Sequence, residues 1–164
     1  MKILVMSDSH SGLRFMRFCI DRLNPQHVIH LGDLLEDAQA ISEIYPHIRF
    51  HMVPGNCDSY IVRNREPAVL CYAIDGVRLM MTHGHLHGVK SDLSRLIRDA
   101  KQAGAQGVLF GHTHAKLCCQ DDDGLWVINP GSCRSDTGSV ALLETADGKI
   151  SACTLLGQAE LLDM

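Results

Sequence analysis

Aspartate, asparagine and histidine residues stand directly after five short apolar runs of the 164-residue sequence. The five groups are Asp8 with His10, Asp33, Asn56, His83 with His85, and His112 with His114. Carboxylate oxygens, amide oxygens and imidazole nitrogens are common metal-ligand atoms in proteins. Any one of these residues alone would be an ordinary turn residue or histidine. Because all five groups stand in the same relation to an apolar run, they predict one shared site.

The mixture of side chains in these groups predicts a pair of divalent transition metal ions. Leaving His85 aside, three oxygen-bearing side chains and four imidazoles would form an uncompensated polar cluster unless cations lay among them. Mixed imidazole and carboxylate sites suit transition metals, whereas magnesium and calcium prefer oxygen ligands alone. We favour Mn²⁺, with iron, zinc and nickel as alternatives. Two such ions share an anionic ligand, predicted to be Asp33, and stabilise the oxygens of an in-line displacement at phosphorus.

The elements around the first three groups predict a parallel sheet. Apolar runs at residues 2–6, 27–31 and 48–53 are typical of buried strands, and residues 12–23 and 38–44 repeat apolar positions at helical spacing. A β-α-β-α-β order implies parallel strands joined by right-handed crossovers. The residues that follow the strands therefore converge at one sheet edge, where open α/β sheets bind ligands.

The second half of the chain predicts further strands around one helix. Residues 68–74 and 77–82 form a hairpin across Asp75-Gly76, and residues 91–103 form a helix with Ser91 as its N-cap. A buried strand at residues 107–110 precedes the last histidine pair. After residue 115 the pattern indicates strands only, at residues 117–120, 125–128, 139–144 and 150–155. Residues 1–164 are predicted to form a single domain.

Composition excludes several classes of protein. Hydrophobic residues make up 46% of the chain and charged residues 21%, as in ordinary globular proteins and unlike disordered or collagen-like chains. A formal charge of −4 gives no basic surplus for dedicated nucleic-acid binding, and no apolar run is long enough for a membrane span. Seven cysteines without a CxxC pair or a signal peptide predict reduced thiols in a cytoplasmic protein.

The motifs in chain order resemble those of the calcineurin-like metallophosphoesterases, and among them the small YfcE-type bacterial and archaeal phosphodiesterases. The resemblance rests on Asp8-Ser9-His10, Gly32-Asp33, Gly55-Asn56-Cys57-Asp58, Thr82-His83-Gly84-His85 and Gly111-His112-Thr113-His114, with Ile128-Asn129-Pro130-Gly131-Ser132 typical of the small subfamily. It implies an α/β fold: a four-layer αββα sandwich of two mixed β-sheets flanked by helices.

The resemblance also assigns ligands and roles. It implies that the first metal is held by Asp8, His10 and His114, the second by Asn56, His83 and His112, and both by Asp33. A hydroxide bridging the two ions would be the nucleophile. His83 takes the ligand role of its motif, which leaves His85 as a candidate substrate contact.

One position departs from the broad family, where a histidine directly after the Gly-Asn pair protonates the leaving group or binds phosphate. This chain has Cys57 there, as small YfcE-type members do, and a thiol with a reference pKa of about 8.5 is a poorer acid partner. The general acid is therefore open, and activity on esters with good leaving groups is expected to exceed that on alkyl esters. A second interpretation of Cys57 is a small buried hydrophobic residue.

The leading functional hypothesis is a dimetal phosphodiesterase that acts on small phosphodiesters. Two alternatives share the fold: a phosphomonoesterase, and a non-catalytic scaffold similar to the small subunit of retromer. The presence of every expected ligand type favours the enzyme. The sequence leaves the substrate and a homo-oligomeric state open, and loop residues Arg63, Arg65 and Arg134 are candidate phosphate contacts or solvated side chains.

Overall fold

The computed structural model describes residues 1–135 and 137–164. Strands and helices alternate through the first half of the chain, as the periodicity predicts. In the described residues the strands are β1 (Lys2–Met6), β2 (His27–His30), β3 (Arg49–Met52), β4 (Val69–Ile74), β5 (Val77–Thr82), β6 (Gly107–Leu109), β7 (Leu117–Gln120), β8 (Trp126–Asn129), β9 (Ser139–Ala146) and β10 (Lys149–Gly157). The helices are α1 (Leu13–Leu23), α2 (Leu35–Ile44), α3 (Tyr60–Arg65), α4 (Ser94–Gln102) and α5 (Gln158–Leu162), with a 3₁₀ turn at His85–His87.

The strands form two mixed sheets of five strands each. The first sheet has the order β10-β9-β1-β2-β3 and the second the order β4-β5-β6-β8-β7. The predicted parallel core is confirmed, since β1, β2 and β3 pair in parallel. Antiparallel strands complete each sheet, and β4 and β5 form the predicted hairpin.

The sheets stack face to face with helices on their outer surfaces, which confirms the four-layer αββα architecture. Alternating residues of β1 pack into different hydrophobic cores, because successive side chains of a strand point to opposite faces of the sheet. Ile3 and Val5 pack between the sheets, whereas Leu4 and Met6 pack with residues of α1 and α2. On the other side of the molecule, α4 covers the second sheet through Leu96 and Ala100.

Two helices begin elsewhere than the local sequence predicts. Helix α2 starts at Leu35 rather than residue 38, because the carboxylate of Asp58, from a distant loop, accepts the Leu35 N–H over 2.6 Å. Helix α4 starts at Ser94, so Ser91 is not its N-cap. Instead the side chain of Asp92 accepts the Ser94 N–H over 2.8 Å.

Two short helices were absent from the prediction. Helix α3 is capped by the Ser59 hydroxyl, which accepts the Val62 N–H, but none of its side chains is buried, so no apolar periodicity marks it. Helix α5 makes the expectation of strands alone after residue 115 wrong. It follows β10 directly and buries only Leu161.

Two further predictions concern the state of the cysteines and the presence of membrane-spanning helices. All seven cysteines are free, in agreement with the reduced thiols predicted. Within the described residues, no helix has both the length and the apolar character needed to cross a bilayer.

Candidate metal centre

The five predicted groups meet at one edge of the sandwich. Asp8 follows β1, Asp33 follows β2 and Asn56 follows β3, and the two histidine pairs begin just after β5 and β6. Several of these residues adopt left-handed backbone, which non-glycine residues rarely do. The residues of the site with positive φ are Asp8, His10, Asp33, His112 and His114, with values between 41° and 67°. Such strain concentrates at functional sites, where the surrounding structure holds it in place.

Asp8 presents one carboxylate oxygen to the protein and the other to the site. Its Oδ2 accepts hydrogen bonds from the Ser7 hydroxyl at 2.5 Å and the His112 backbone N–H at 3.1 Å. Its Oδ1 lies 3.0 Å from His114 Nε2 and 3.9 Å from His83 Nε2. The side chain is fully buried, so Oδ1 is fixed in place and available to a cation.

Asp33 places its two carboxylate oxygens against different histidines. Oδ2 lies 3.7 Å from His10 Nε2, and Oδ1 lies 3.5 Å from His83 Nε2. Burial alone would raise the pKa of Asp33, but the Cys57 backbone N–H, donated to Oδ1 over 2.8 Å, and the neighbouring His83 bring that pKa below its usual value. The carboxylate is therefore ionised at neutral pH, with one oxygen toward each half of the site.

His83 has a fixed tautomer. Its Nδ1 lies 2.7 Å from the Leu31 carbonyl oxygen, which only accepts, so Nδ1 carries the hydrogen. In the neutral ring the lone pair is then on Nε2, which lies 3.1 Å from Oδ1 of Asn56. Oxygen atoms of Asn56, Asp8 and Asp33 thus surround Nε2 of His83, an arrangement that a cation stabilises.

Two further imidazoles of this half have lowered pKa values. Burial lowers the pKa of His112, and the nearby His83 and Lys90 lower it further. Burial and His83 likewise lower the pKa of His85. The ring centroids of His112 and His85 lie 5.0 Å and 5.4 Å from that of His83. Neutral imidazole is the form that binds metals, so both rings are suited to ligation.

Two clusters of potential metal ligands at the site share the residue Asp8. Ligand atoms of Asp8, His10 and His114 lie within 4.8 Å of one another, and those of Asp8, Asp33 and His83 do so as well. Buried carboxylates, imidazoles with free lone pairs and short mutual distances fit divalent transition metals. In that arrangement Asp8, His10 and His114 would hold one ion, Asn56, His83 and His112 would hold the other, and Asp33 faces both.

A network behind the ligands, which the sequence analysis did not assign, positions their loops. Asp58 accepts backbone N–H groups of Asp33 and Gly55 as well as that of Leu35. The Ser132 hydroxyl donates to the Asp8 carbonyl over 2.8 Å. Both residues lie inside motifs of the sequence, but all of their partners except Gly55 are distant in the chain.

His30 belongs to the same supporting network. It is completely buried, its Nδ1 accepts the Gly32 N–H and its Nε2 lies 3.2 Å from the Ser9 hydroxyl. Burial lowers the pKa of His30 to about 4, although the acids Asp58, Asp8 and Asp37 oppose the shift. His30 is thus neutral and ties the loop of Asp8 to the loop of Asp33.

Cys57 lies exposed at the rim of the site, so the interpretation as a small buried hydrophobic residue is wrong. Its Sγ is 3.5 Å from Asn56 Nδ2. Partial desolvation raises the pKa of the thiol, and the side chain of Asp33 raises it further. At neutral pH the side chain is a protonated thiol beside the proposed bridging carboxylate.

Two cavities flank the centre. A groove of about 650 Å³ starts at His114 and is lined by Lys116 and Arg134 together with serine and threonine hydroxyls. A smaller pocket of about 300 Å³ starts at His85 and includes Arg63. Two of the arginines predicted to be candidate phosphate contacts, Arg63 and Arg134, therefore line cavities beside the site, although Arg63 lies on helix α3 and not in the predicted loop. Arg65, at the end of α3, is exposed.

Comparison with known proteins agrees with this geometry. A family model for the calcineurin-like phosphoesterase superfamily domain matches residues 1–148. The chain is 35% identical over 138 residues to the probable metallophosphoesterase YsnB of Bacillus subtilis, across 82% of this chain and 76% of that protein. It is 30% identical over 149 residues to the phosphodiesterase MJ0936 of Methanocaldococcus jannaschii, across 81% and 84% of the two chains.

Solved structures share the architecture. A predicted phosphoesterase of Streptococcus pneumoniae superposes with a TM-score of 0.77 at 25% identity, covering 96% of this chain and 90% of that one. Vps29 of Entamoeba histolytica, solved in complex with zinc, superposes with a TM-score of 0.71 at 22% identity, covering 95% and 98%. At that level of identity the second likeness shows the fold alone.

Proposed function

Because the chain belongs to the calcineurin-like phosphoesterase superfamily, we propose that it is a dimetal-dependent phosphodiesterase that hydrolyses small phosphodiesters. Members of this superfamily use divalent metals, and the chain has candidate residues to bind them. The observation that carries the proposal is the position of Asp33, whose oxygens lie 3.7 Å from His10 and 3.5 Å from His83. A carboxylate facing two groups of imidazoles is the ligand that two neighbouring cations share.

The chain's own residues supply binding and orientation. Two bound divalent ions activate water and stabilise the charge that develops in an in-line displacement at phosphorus. Asp8, held by Ser7 and the His112 backbone, fixes one oxygen toward the first ion. Asn56 and His83, held 3.1 Å apart, are oriented toward the second. His85, at the mouth of the smaller pocket, is proposed to contact the substrate.

The proposed metal is Mn²⁺. Seven proposed ligands, of which four are imidazoles, suit manganese, iron, zinc or nickel better than magnesium. We also propose that residues 1–164 act as one domain, because strand β9, from the last third of the chain, pairs with the N-terminal strand β1 in the sheet that carries Asp8 and Asp33.

The diester preference follows from the shape of the site and from Cys57. Open cavities on both sides of the centre leave room for two ester arms. The exposed thiol, with its raised pKa, is a weak proton donor for a poor leaving group. We therefore expect aryl phosphodiesters to be hydrolysed faster than alkyl ones, and diesters faster than monoesters.

The test uses metal-free full-length protein supplied with Mn²⁺ or Mg²⁺. Rates on bis(p-nitrophenyl) phosphate and on p-nitrophenyl phosphate are compared. The proposal predicts diesterase activity that Mn²⁺ restores more fully than Mg²⁺. A faster rate on the monoester would favour the phosphatase alternative. Full diesterase activity without metal would contradict the proposed metal dependence, and no turnover of either ester with Mn²⁺ or Mg²⁺ would favour the retromer-like scaffold.

A further inference from the structure

The smaller pocket beside the metal centre has an apolar and aromatic lining. It measures about 300 Å³ and lies between α3 and the 3₁₀ turn, lined mainly by Pro54, Tyr60, Arg63, Ala68, His85 and Leu86. It adjoins the proposed site, because His85 lines it and the ring centroid of His85 lies 5.4 Å from that of His83. A group bound in it would therefore lie beside the proposed metal centre.

Its apolar side chains are exposed rather than packed. Tyr60 is 75% exposed and Leu86 is 53% exposed. Helix α3, which carries Tyr60, buries none of its side chains. A single exposed apolar residue is ordinary, but two that face one pocket beside a proposed catalytic centre are typical of a ligand site.

The chemistry of the lining favours a flat, unsaturated group. The Tyr60 ring offers a π face, and the Arg63 guanidinium stacks on planar systems while tolerating a nearby phosphate. Leu86, Ala68 and Pro54 add aliphatic surface. Among the described residues that line the pocket there is no carboxylate to repel an anionic substrate. A volume of about 300 Å³ is at the lower limit for small-molecule sites and suits one ring system rather than a whole nucleotide.

The groove on the opposite side of the centre has a different character. Lys116, Arg134, Glu160 and several hydroxyl groups line it, with no Phe, Tyr or Trp ring among its described lining residues. Charged and hydroxyl side chains favour a sugar or a further phosphate over a base. The two sides therefore differ enough to distinguish the two arms of an unsymmetrical diester.

We propose that this pocket binds the planar arm, a nucleobase or an aryl group, of a phosphodiester whose phosphorus lies at the metal centre. The inference rests on the proposed diesterase function and adds a substrate class to it. Tyr60 and Leu86 are its specificity-determining residues. Stacking of one base on an aromatic side chain contributes a preference of about tenfold or more.

The test compares two esters that differ only in the base. One is the methyl ester of adenosine 5′-monophosphate, and the other is the methyl ester of methyl riboside 5-phosphate, which has the same sugar and reacting diester. With Mn²⁺-loaded protein, kcat/KM is expected to be about tenfold or more higher for the base-bearing ester. Tyr60→Ser and Leu86→Ser should each bring the ratio of the two kcat/KM values toward one.

Ile61→Ser is the matched control. Ile61 lies on the same helix and is 61% exposed, but it does not line the pocket. Its variant should keep the wild-type ratio. Equal kcat/KM for the two esters in the wild type, or a ratio that Tyr60→Ser and Leu86→Ser leave unchanged, would overturn the inference while the diesterase function stands.

Two further readouts separate this inference from its alternatives. Calorimetry on Mn²⁺-loaded protein measures the affinity for adenosine 5′-monophosphate and, separately, for methyl riboside 5-phosphate. This comparison tests the pocket without turnover. A tenfold difference in affinity that Tyr60→Ser removes supports the pocket even if no diester is hydrolysed, whereas equal affinities contradict it. If sedimentation shows that Tyr60→Ser and Leu86→Ser break a dimer while the ester ratio is unchanged, the pocket is instead an interface between copies.

Discussion

His83 donates its Nδ1–H to the backbone carbonyl of Leu31 over 2.7 Å, and this one contact fixes which nitrogen faces the site. Leu31 follows β2 of the first sheet, whereas His83 follows β5 of the second. The hydrogen bond therefore joins the two sheets at the edge where the ligands meet. It leaves the Nε2 lone pair 3.5 Å from Oδ1 of Asp33 and ready for a cation.

Replacing Asp33 with asparagine is expected to abolish diester turnover while the protein stays folded. A neutral amide cannot neutralise two cations, and Asn tolerates the left-handed backbone at φ 60°. Circular dichroism and the rate on bis(p-nitrophenyl) phosphate are the measurements. Asp147→Asn is the control, because Asp147 is exposed, has φ 52° and lies in the β9–β10 turn. Near-wild-type turnover in folded Asp33→Asn protein would refute a bridging role.

Gly111→Ala is expected to lower metal content. A Cβ at Gly111 would lie 1.9 Å from the Ser7 hydroxyl and 2.8 Å from Oδ2 of Asp8, so the hydrogen bond that orients Asp8 must break. Mass spectrometry of bound metal measures the effect. Gly124→Ala is the control, since nothing lies within 4 Å of its Cβ and its φ of 85° costs only about 1–2 kcal/mol of stability. The account requires reduced metal in the first variant and full metal in the second.

His30 is expected to make the protein sensitive to acid. Its pKa falls from 6.5 to about 4 in the folded state because the ring is buried. As the pH falls, the unfolded chain therefore takes up a proton at this histidine before the folded protein does. The free energy of unfolding decreases by about 3 kcal/mol in total between pH 6.5 and pH 4. Urea unfolding of metal-free protein at pH 7 and pH 4 measures this loss.

His30→Gln should reduce that acid-dependent loss, because the amide does not titrate. His47→Gln, which removes an exposed histidine, serves as the control and should leave the loss as in the wild type. An equal loss in His30→Gln and wild-type protein would show that other groups cause the acid sensitivity.

Cys57→His is expected to raise the rate on alkyl diesters more than on aryl diesters. The exposed position leaves room for an imidazole, which is a better proton donor at neutral pH than a thiol with a raised pKa. General acid catalysis typically raises a reaction rate 10²–10⁴-fold. We therefore expect the ratio of the alkyl rate to the aryl rate to rise about tenfold. Cys57→Ala is the control and should lower neither metal content nor the aryl rate. An unchanged ratio at full metal occupancy would exclude leaving-group protonation from this position.

Much of the fold and of the centre's composition was predictable because the signals are local. Strand β1 ends in an apolar run before Asp8, and the Asp75-Gly76 pair marks the β4–β5 hairpin. Parallel pairing then brings strand ends together, so Asp8 and Asp33 meet without any knowledge of side-chain packing. The sequence could not place contacts that depend on distant loops. Asp58 starts helix α2 from another segment of the chain.

The pocket beside the centre was unpredictable for a related reason. Tyr60 lies on a helix with no buried face, and Leu86 lies in a 3₁₀ turn, so neither belongs to an apolar repeat. Only the fold brings the two residues together. Cys57 was open to two interpretations, because a cysteine's exposure cannot be predicted from its residue type alone. In the structure, the turn after Asn56 places Cys57 at the surface.

The most direct test of the central claim is the diesterase rate as a function of bound Mn²⁺ per chain. Metal-free protein is titrated with Mn²⁺, bound metal is measured by mass spectrometry, and the rate on bis(p-nitrophenyl) phosphate is followed in the same samples. The rate is expected to reach its maximum only when two ions are bound per chain. A maximal rate with one ion or none, or two bound ions without diester hydrolysis, would contradict this expectation.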